Sequence, residues 1–195
     1  MKNKFIAVFS LLASLLMLTA STSSFVSDPQ GLFDNQTKEL VNQKNKSYQE
    51  TKTKPEIRLL SLKKSSDLNR IRPLKNQVII AAALQDKKKN VQIIVGQNYQ
   101  DVLTQSKCSN IIRYAGDKLR SSKPETFNSG IRLVFNACAT LVAQKDKLSY
   151  DKNSLTQDEL QKIDHPQSVN LVWGLVIAAL ISFGLVLFKS VRKMR

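Results

Sequence analysis

Two long apolar segments flank a polar body and dominate the hydropathy pattern of this chain. Val169–Phe188 contains twenty residues without a charged side chain. As a helix rising about 1.5 Å per residue it would be roughly 30 Å long, enough to cross the hydrocarbon core of a bilayer. The tail 189–195 carries four basic residues, which the positive-inside rule places on the cytoplasmic side. The pattern predicts a C-terminal transmembrane helix over 169–188, followed by a basic cytoplasmic tail.

The apolar run near the N-terminus, Phe5–Leu18, has a different form. It follows two lysines and leads into small residues, which is the arrangement of a secretory signal peptide. We therefore expect residues 1–23 to form a signal peptide, with an uncleaved anchor as the alternative. Together, the two apolar segments predict a single-pass protein of the cell membrane whose body is extracytoplasmic.

Between these segments, residues 24–145 show helix-like and strand-like patterns in alternation. The run Val78–Leu84 is continuous, small and β-branched, which is typical of a strand buried on both faces. A helix with Asp34 as its cap is predicted to reach about Gln49. Further strands are predicted at Ile57–Leu62 and Val91–Val95, and a short helical turn at Ser65–Arg70.

The second half of the body is predicted to be helical. Apolar residues recur at helical spacing in Ser106–Leu119, and again from Pro124 to about Gln144. Residues 146–168 are polar and lack such spacing, so we expect them to form a stalk. The order of elements predicts an α/β fold, in which helices cover both faces of a small central sheet as an α/β/α sandwich.

The net charge of the chain limits the classes of partner that it would attract. It has 30 basic and 15 acidic residues, for a formal net charge of +15. Residues 21–168 hold 24 of the basic and all 15 acidic residues, or +9. For an exported domain, anionic lipid head groups and wall polymers would be attracted, with a strength that falls as salt rises. No basic cluster carries interleaved aromatic residues, so nucleic acid is not an expected partner.

Few side chains in this sequence suit nucleophilic catalysis. The two cysteines, Cys108 and Cys138, lie among apolar residues of predicted helices. We favour two buried thiols, with a disulfide as the alternative that export would permit. His165 is the single histidine and precedes Pro166 in the predicted stalk. A catalytic triad or a Cys–His pair is therefore not expected.

Several short motifs occur in order along the body. The segment Val26–Phe33 has the pattern D-x-x-G-L, Asn98–Thr104 follows the strand that ends at Gly96, and Phe127–Gly130 has the pattern F-x-x-G. With these motifs, Ser24–Gln144 resembles the TPM domain family. The resemblance implies an α/β/α sandwich with a mixed central sheet. It also implies two activities known in the family, acid phosphatase activity and calcium binding.

The resemblance places three acidic residues at motif positions. They are Asp28, Asp86 and Asp101, and calcium is the metal that the resemblance implies for them. Gln100 and Gln105 stand where the family usually has carboxylates. A calcium ion takes about six to eight oxygen ligands, usually including several carboxylates. The three lysines that follow Asp86 oppose cation binding by repulsion.

We therefore expect a membrane-anchored, extracytoplasmic, TPM-like binding or accessory module of the cell envelope. It is expected to have no catalytic residue and to need no cofactor. Its expected partner is an envelope protein or an anionic wall polymer. One alternative is a metal-dependent acid phosphatase that uses Asp28, Asp86 and Asp101. The other is an electrostatic binder of wall polymer or anionic lipid.

Overall fold

A four-stranded mixed sheet forms the centre of the computed structural model, which describes residues 25–85 and 88–164. The strands lie in the order β1-β2-β3-β4. The first three are parallel, and β4 is antiparallel to β3. The strands are β1 (Val26–Ser27), β2 (Glu56–Leu62), β3 (Gln77–Gln85) and β4 (Lys88–Val95).

The helices begin where the sequence provides caps. The Asp34 carboxylate accepts a hydrogen bond from the backbone N–H of Thr37 at 2.7 Å, and Thr104 caps the second helix through Lys107. Pro124 lies in the first turn of the fourth helix, where its missing N–H breaks no bond. The described helices are α1 (Asn35–Gln49), α2 (Gln105–Tyr114), α3 (Gly116–Leu119), α4 (Pro124–Asp146) and α5 (Gln157–Asp164), with 3-10 helices at Ser65–Arg70 and Gln97–Tyr99.

Strand β3 is buried on both faces, as its apolar sequence predicts. Val78, Ile80 and Ala82 point into the main core, and Ala81 and Ala83 point to the opposite face. All five side chains are fully buried. In the register of the sheet, β3 lies between β2 and β4 from Val78 to Ala83. It is therefore the central support of the domain.

The main core fills one face of the sheet. Helices α1 and α4 pack on β2, and α4 also packs on β3. Phe127, Phe135 and Ile131 of α4 are almost completely buried there, together with Val41 of α1. Burial of apolar area of this kind is the dominant stabilising contribution to folding.

The opposite face of the sheet is covered much less than an α/β/α sandwich predicts. In the described part of the chain, Leu68 of the 3-10 helix Ser65–Arg70 is the main buried side chain that packs there, against Ile79 and the small residues of β3. Only fourteen residues connect β2 to β3, and Pro73 lies among them. That connection holds a short 3-10 helix and has no full α-helix. The sandwich prediction is therefore corrected to a mixed α/β fold with its α-helices packed on one face.

The predicted C-terminal transmembrane helix is also corrected. No helix within residues 25–85 and 88–164 has the length and apolar character needed to span a membrane. The segment 169–188, for which the span was predicted, lies outside the described residues, as do the predicted signal peptide 1–23 and the basic tail 189–195. The fold that the structure supports for the described residues is a mixed α/β domain built on a four-stranded sheet.

Part of the predicted stalk packs on the domain. Helix α5 lies within residues 146–168, and its Leu160 and Ile163 are buried in the main core. Two ion pairs hold this segment, Lys44 to Asp151 at 2.9 Å and Lys107 to Asp164. Because only a few apolar residues alternate with many polar ones here, the sequence pattern did not reveal the helix.

The two cysteines are free thiols, as favoured from the sequence. Cys108 and Cys138 are both buried and are not joined to each other. Burial raises the pKa of the Cys108 thiol to about 11 and raises that of Cys138 well above its usual range. Both therefore act as small apolar side chains of the core.

Candidate functional site

The first motif forms a tight turn at the end of β1. Asp28 Oδ1 accepts a hydrogen bond from the backbone N–H of Leu32 at 2.8 Å, and Oδ2 accepts one from that of Phe33 at 3.1 Å. The backbone N–H of Gly31 also donates to the Asp28 carbonyl at 3.2 Å. Gly31 has φ +62°, a conformation that favours glycine. The D-x-x-G-L pattern thus has a direct structural cause.

The Asp28 carboxylate also has a positive partner. Lys38 Nζ lies 2.9 Å from Oδ2, and the Asp28 side chain is only 5% exposed. Burial alone would raise the pKa of Asp28, but hydrogen bonds from Lys38, Ser61, Phe33 and Leu32 outweigh it and lower that pKa. Asp28 is therefore ionised at neutral pH and already neutralised by an ammonium group.

A second group of polar residues joins this turn to α4. Arg132 donates to both carboxylate oxygens of Asp34, at 3.2 and 3.1 Å, and to the Thr37 hydroxyl at 2.9 Å. The Asn128 side chain accepts from the backbone N–H of Asp34 at 2.9 Å and donates to the Leu32 carbonyl at 3.1 Å. Burial opposes ionisation of Asp34, but its bonds from Thr37 and Arg132 lower its pKa.

Asn128 and Arg132 were not identified from the sequence. The signal for Asn128 was its place in the F-x-x-G pattern, on the apolar face of a predicted helix, where a polar residue needs a partner. Gly130 in the same pattern packs closely on α3, since an added Cβ would lie 3.0 Å from Leu119 and Lys118 side-chain atoms. Within this pattern, Asn128 therefore binds the segment that follows the Asp28 turn, and Gly130 packs against α3.

Asp101 lies far from Asp28. The register of the sheet aligns Ser27 of β1 with Gln92 of β4. Gly96 follows β4 and lies four residues beyond Gln92. This is about 14 Å along the strands, and three strand spacings add about 14 Å across the sheet. By these spacings Ser27 and Gly96 are roughly 20 Å apart, so the Asp28 turn and the loop that holds Asp101 lie at opposite corners of the sheet. The structure does not bring Asp28 and Asp101 together in one ion's coordination sphere.

Asp101 has its own local partners. Its carboxylate is bonded to Lys145, which lowers its pKa, and its side chain is 64% exposed. The neighbouring Tyr99 hydroxyl donates to Asp146 at 2.8 Å. Burial and that bond together raise the pKa of Tyr99 well above its usual value. Lys145 and Asp146 belong to the end of α4, so these contacts attach the loop after β4 to that helix.

Asp86 lies outside the described residues, so its place relative to Asp28 is not defined. Across residues 25–85 and 88–164, no group of three or more His, Cys, Asp or Glu side chains is arranged to hold a metal ion. Of Asp28 and Asp101, the two acidic motif residues that the structure describes, only Asp28 is buried, and its oxygens are occupied by the contacts above. Its carboxylate would have to lose these contacts to coordinate a cation.

Lys89, at the start of β4, is packed rather than solvated. Its ammonium lies 4.2 Å from the centre of the Phe127 ring and donates to the Ser121 carbonyl at 3.1 Å. Burial lowers its pKa. β4 begins at Lys88, so Lys89 belongs to the strand. Lys89 therefore links the sheet to the start of α4.

An open groove runs beside β4. We call it the β4 groove; its volume is about 760 Å³ and it is lined by β4 and α2, with apolar contributions from Val91, Ile93, Val95, Leu103, Cys108 and Ile112. Near the start of β4 it continues into a smaller cavity of about 350 Å³. The smaller cavity shares Val91 and Ile112 with the groove and is also lined by Lys89, Arg113 and Arg120. The groove offers apolar surface, strand backbone and one basic end.

Comparison with known families gives one result. The model of the TPM domain matches residues 26–141, which is more than half of the chain. A search of curated proteins found no match. The matched range begins at β1 and ends within α4, so it contains the Asp28 turn, the whole sheet and the F-x-x-G pattern.

Proposed function

Because the chain belongs to the TPM domain family, we propose that its domain is a binding or accessory module of the cell envelope and that its first acidic motif serves the fold. The family includes phosphatases, and this chain would differ from them in lacking metal-dependent catalysis. The extracytoplasmic location is part of the proposal and rests on the leader-like segment 1–23.

One observation carries the proposal, namely the occupied state of the Asp28 carboxylate. Two backbone N–H groups and the Lys38 ammonium contact its two oxygens, and the side chain is almost completely buried. A divalent cation would have to displace the ammonium or lie close to it, at a cost in repulsion. It would also need additional oxygen ligands around it. Both requirements favour a structural role for Asp28.

A phosphate-release assay on the full-length chain tests this proposal. With p-nitrophenyl phosphate and millimolar calcium or magnesium, we expect no hydrolysis above that of a matched sample without metal. Lys38→Met is the informative variant, because it removes the competing ammonium and keeps much of the side-chain volume. If Lys38 merely masks a working site, this variant should gain metal-dependent hydrolysis. Such a gain, or metal-dependent turnover by the unchanged chain, would contradict the proposal.

A second candidate function is electrostatic attachment to anionic wall polymer or lipid. The supporting observation is the excess of 24 basic over 15 acidic residues in residues 21–168. Attachment of this kind predicts binding to vesicles with anionic lipid at low salt and release near 0.5 M salt, where the screening length falls to about 4 Å. Retention that does not depend on salt would exclude it.

A further inference from the structure

Strand β4 is an edge of the sheet with backbone groups free to pair. The backbone N–H of Gly96 donates to the Gln77 carbonyl at 2.8 Å, so Gly96 faces β3. Successive residues of an antiparallel strand face the partner alternately. Val95, Ile93 and Val91 therefore direct their N–H and C=O groups away from β3. In the described part of the chain, these outward groups form no hydrogen bond.

Within the described residues, this edge lacks the features that usually prevent strand addition. Natural edge strands are protected by prolines, charged residues, bulges or a covering element. Val91–Val95 has neither a proline nor a charged residue. Lysines occur only at the start of the strand, at Lys88 and Lys89. The five residues Val91–Val95 therefore form an open template for another strand.

Helix α2 turns this edge into a groove. The side chains of Val91 and Ile93 pack with the main core, on the same side of the sheet as α2. Cys108 and Ile112 of α2 form the facing wall of the β4 groove. An edge strand beside a helix suits peptide binding by strand addition, in which backbone bonds provide affinity and alternate side chains provide specificity. A strand in the groove would place every second side chain against this apolar wall.

The charges around the groove define the chemistry of the occupant. Lys89, Arg113 and Arg120 line its basic end, although Arg120 also pairs with Asp117 at 2.7 Å. Among the described residues that line the groove and this end, none is acidic. The chain's own segments 1–24 and 165–195 carry six basic and no acidic residues, so their charge does not match. An occupant with carboxylates does match.

We propose that the β4 groove binds an extended peptide of a partner protein, which adds to the sheet as a strand antiparallel to β4. The peptide has apolar side chains at alternate positions and carboxylates at its C-terminal end. In antiparallel pairing that end lies beside the start of β4, near Lys89 and Arg113. This inference rests on the proposed binding function and names the chemistry of the partner.

The probe is a fluorescent octapeptide, Thr-Val-Thr-Val-Thr-Val-Asp-Asp, and the readout is fluorescence polarisation. The protein is the full-length chain in a mild detergent, chosen because the sequence has apolar runs at 5–18 and 169–188. A control peptide ends in Lys-Lys, and a second control carries N-methyl groups on alternate backbone amides. We expect the acidic peptide to bind most tightly and the N-methylated peptide to bind at least about tenfold more weakly, because it loses backbone bonds.

Variants at two positions separate the contribution of backbone hydrogen bonds to peptide binding from that of charge. Ile93→Pro removes an outward N–H while leaving the β3–β4 bonds in place, and Ile93→Ala is its matched control, with the N–H retained. We expect the proline variant to bind the acidic peptide roughly tenfold more weakly than the alanine variant. Arg113→Glu should weaken the acidic peptide and favour the Lys-Lys peptide. Circular dichroism confirms that each variant is folded.

Three results would overturn the inference: no binding of the acidic peptide at millimolar concentration, equal binding by the two Ile93 variants, or a dimer of the chain that Ile93→Pro abolishes. The last result would identify a second copy as the occupant. Failure of the proposed function is distinguishable, because it would appear as metal-dependent phosphate release whatever the peptide result.

Discussion

Replacing Asp28 with asparagine tests most sharply whether the first acidic motif holds the fold. The asparagine oxygen can still accept a hydrogen bond from the Leu32 N–H. Its amide group, however, would face the Phe33 N–H, which now donates to Asp28 at 3.1 Å. Two donors would then meet in a position where the side chain is 5% exposed. The Lys38 ammonium would also lose its charged partner.

The magnitude follows from these contacts. An unsatisfied buried donor costs about 1–3 kcal/mol, and loss of the half-exposed Lys38 pair adds about 0–1 kcal/mol. The two contributions add to about 1–4 kcal/mol, and we expect Asp28→Asn to lower the free energy of unfolding by roughly 2–3 kcal/mol, the middle of that range. For a domain of this size that corresponds to a fall in Tm of about 10 °C.

The assay is thermal and urea unfolding followed by circular dichroism at pH 7, with Asp101→Asn as the matched control. Asp101 is an exposed carboxylate with a lysine partner, so its variant should unfold almost like the unchanged chain. The reasoning is refuted if Asp28→Asn leaves Tm unchanged. It is equally refuted if the two variants lose the same stability, since burial would then have no influence.

The remaining predictions concern the acid limit of stability and the contacts of the helices. The folded-state pKa values of Asp28 and Asp34 are lowered, so the stability that these carboxylates contribute is complete above about pH 4 and is lost as pH falls through the lowered values. Tm measured against pH should fall in that acid range, and the fall should be smaller in Asp28→Asn than in the unchanged chain. Arg132→Met should cost about 1–2 kcal/mol in urea unfolding, since the Asp34 carboxylate then keeps only its Thr37 contacts; no change would contradict this. Ile163→Ala should cost about 2–4 kcal/mol, because the side chain is fully buried; a cost below 0.5 kcal/mol, typical of surface positions, would mean that α5 does not pack. Cys138 should resist thiol reagents until the chain unfolds, and fast labelling of the native chain would disprove its burial.

Local pattern was sufficient where one short segment determined its own structure. The apolar run of β3 predicted a strand buried on both faces, and Asp34 predicted the start of α1 through its capping bond. The free, buried cysteines also followed from their apolar neighbours. Each of these features depends on contacts that the sequence displays within a few residues.

Features that depend on distant residues were not predictable in this way. The Asp28 carboxylate looked like a metal ligand because the pairing with Lys38, ten residues away, is formed only by the packing of α1 on the turn. β1 is two residues long, so it has no periodicity to detect. Among the described residues the α-helices lie on one face of the sheet, because the β2–β3 connection forms only the 3-10 helix Ser65–Arg70, which the sequence did predict as a short helical turn.

Titration of calcium and magnesium into the full-length chain, followed by calorimetry, tests the central claim most directly. Our account predicts no saturable heat from either ion and no difference between the unchanged chain and Lys38→Met, because the Asp28 oxygens serve the turn. Saturable binding that disappears in Asp28→Asn, while that variant remains folded, would contradict it and make Asp28 a metal ligand.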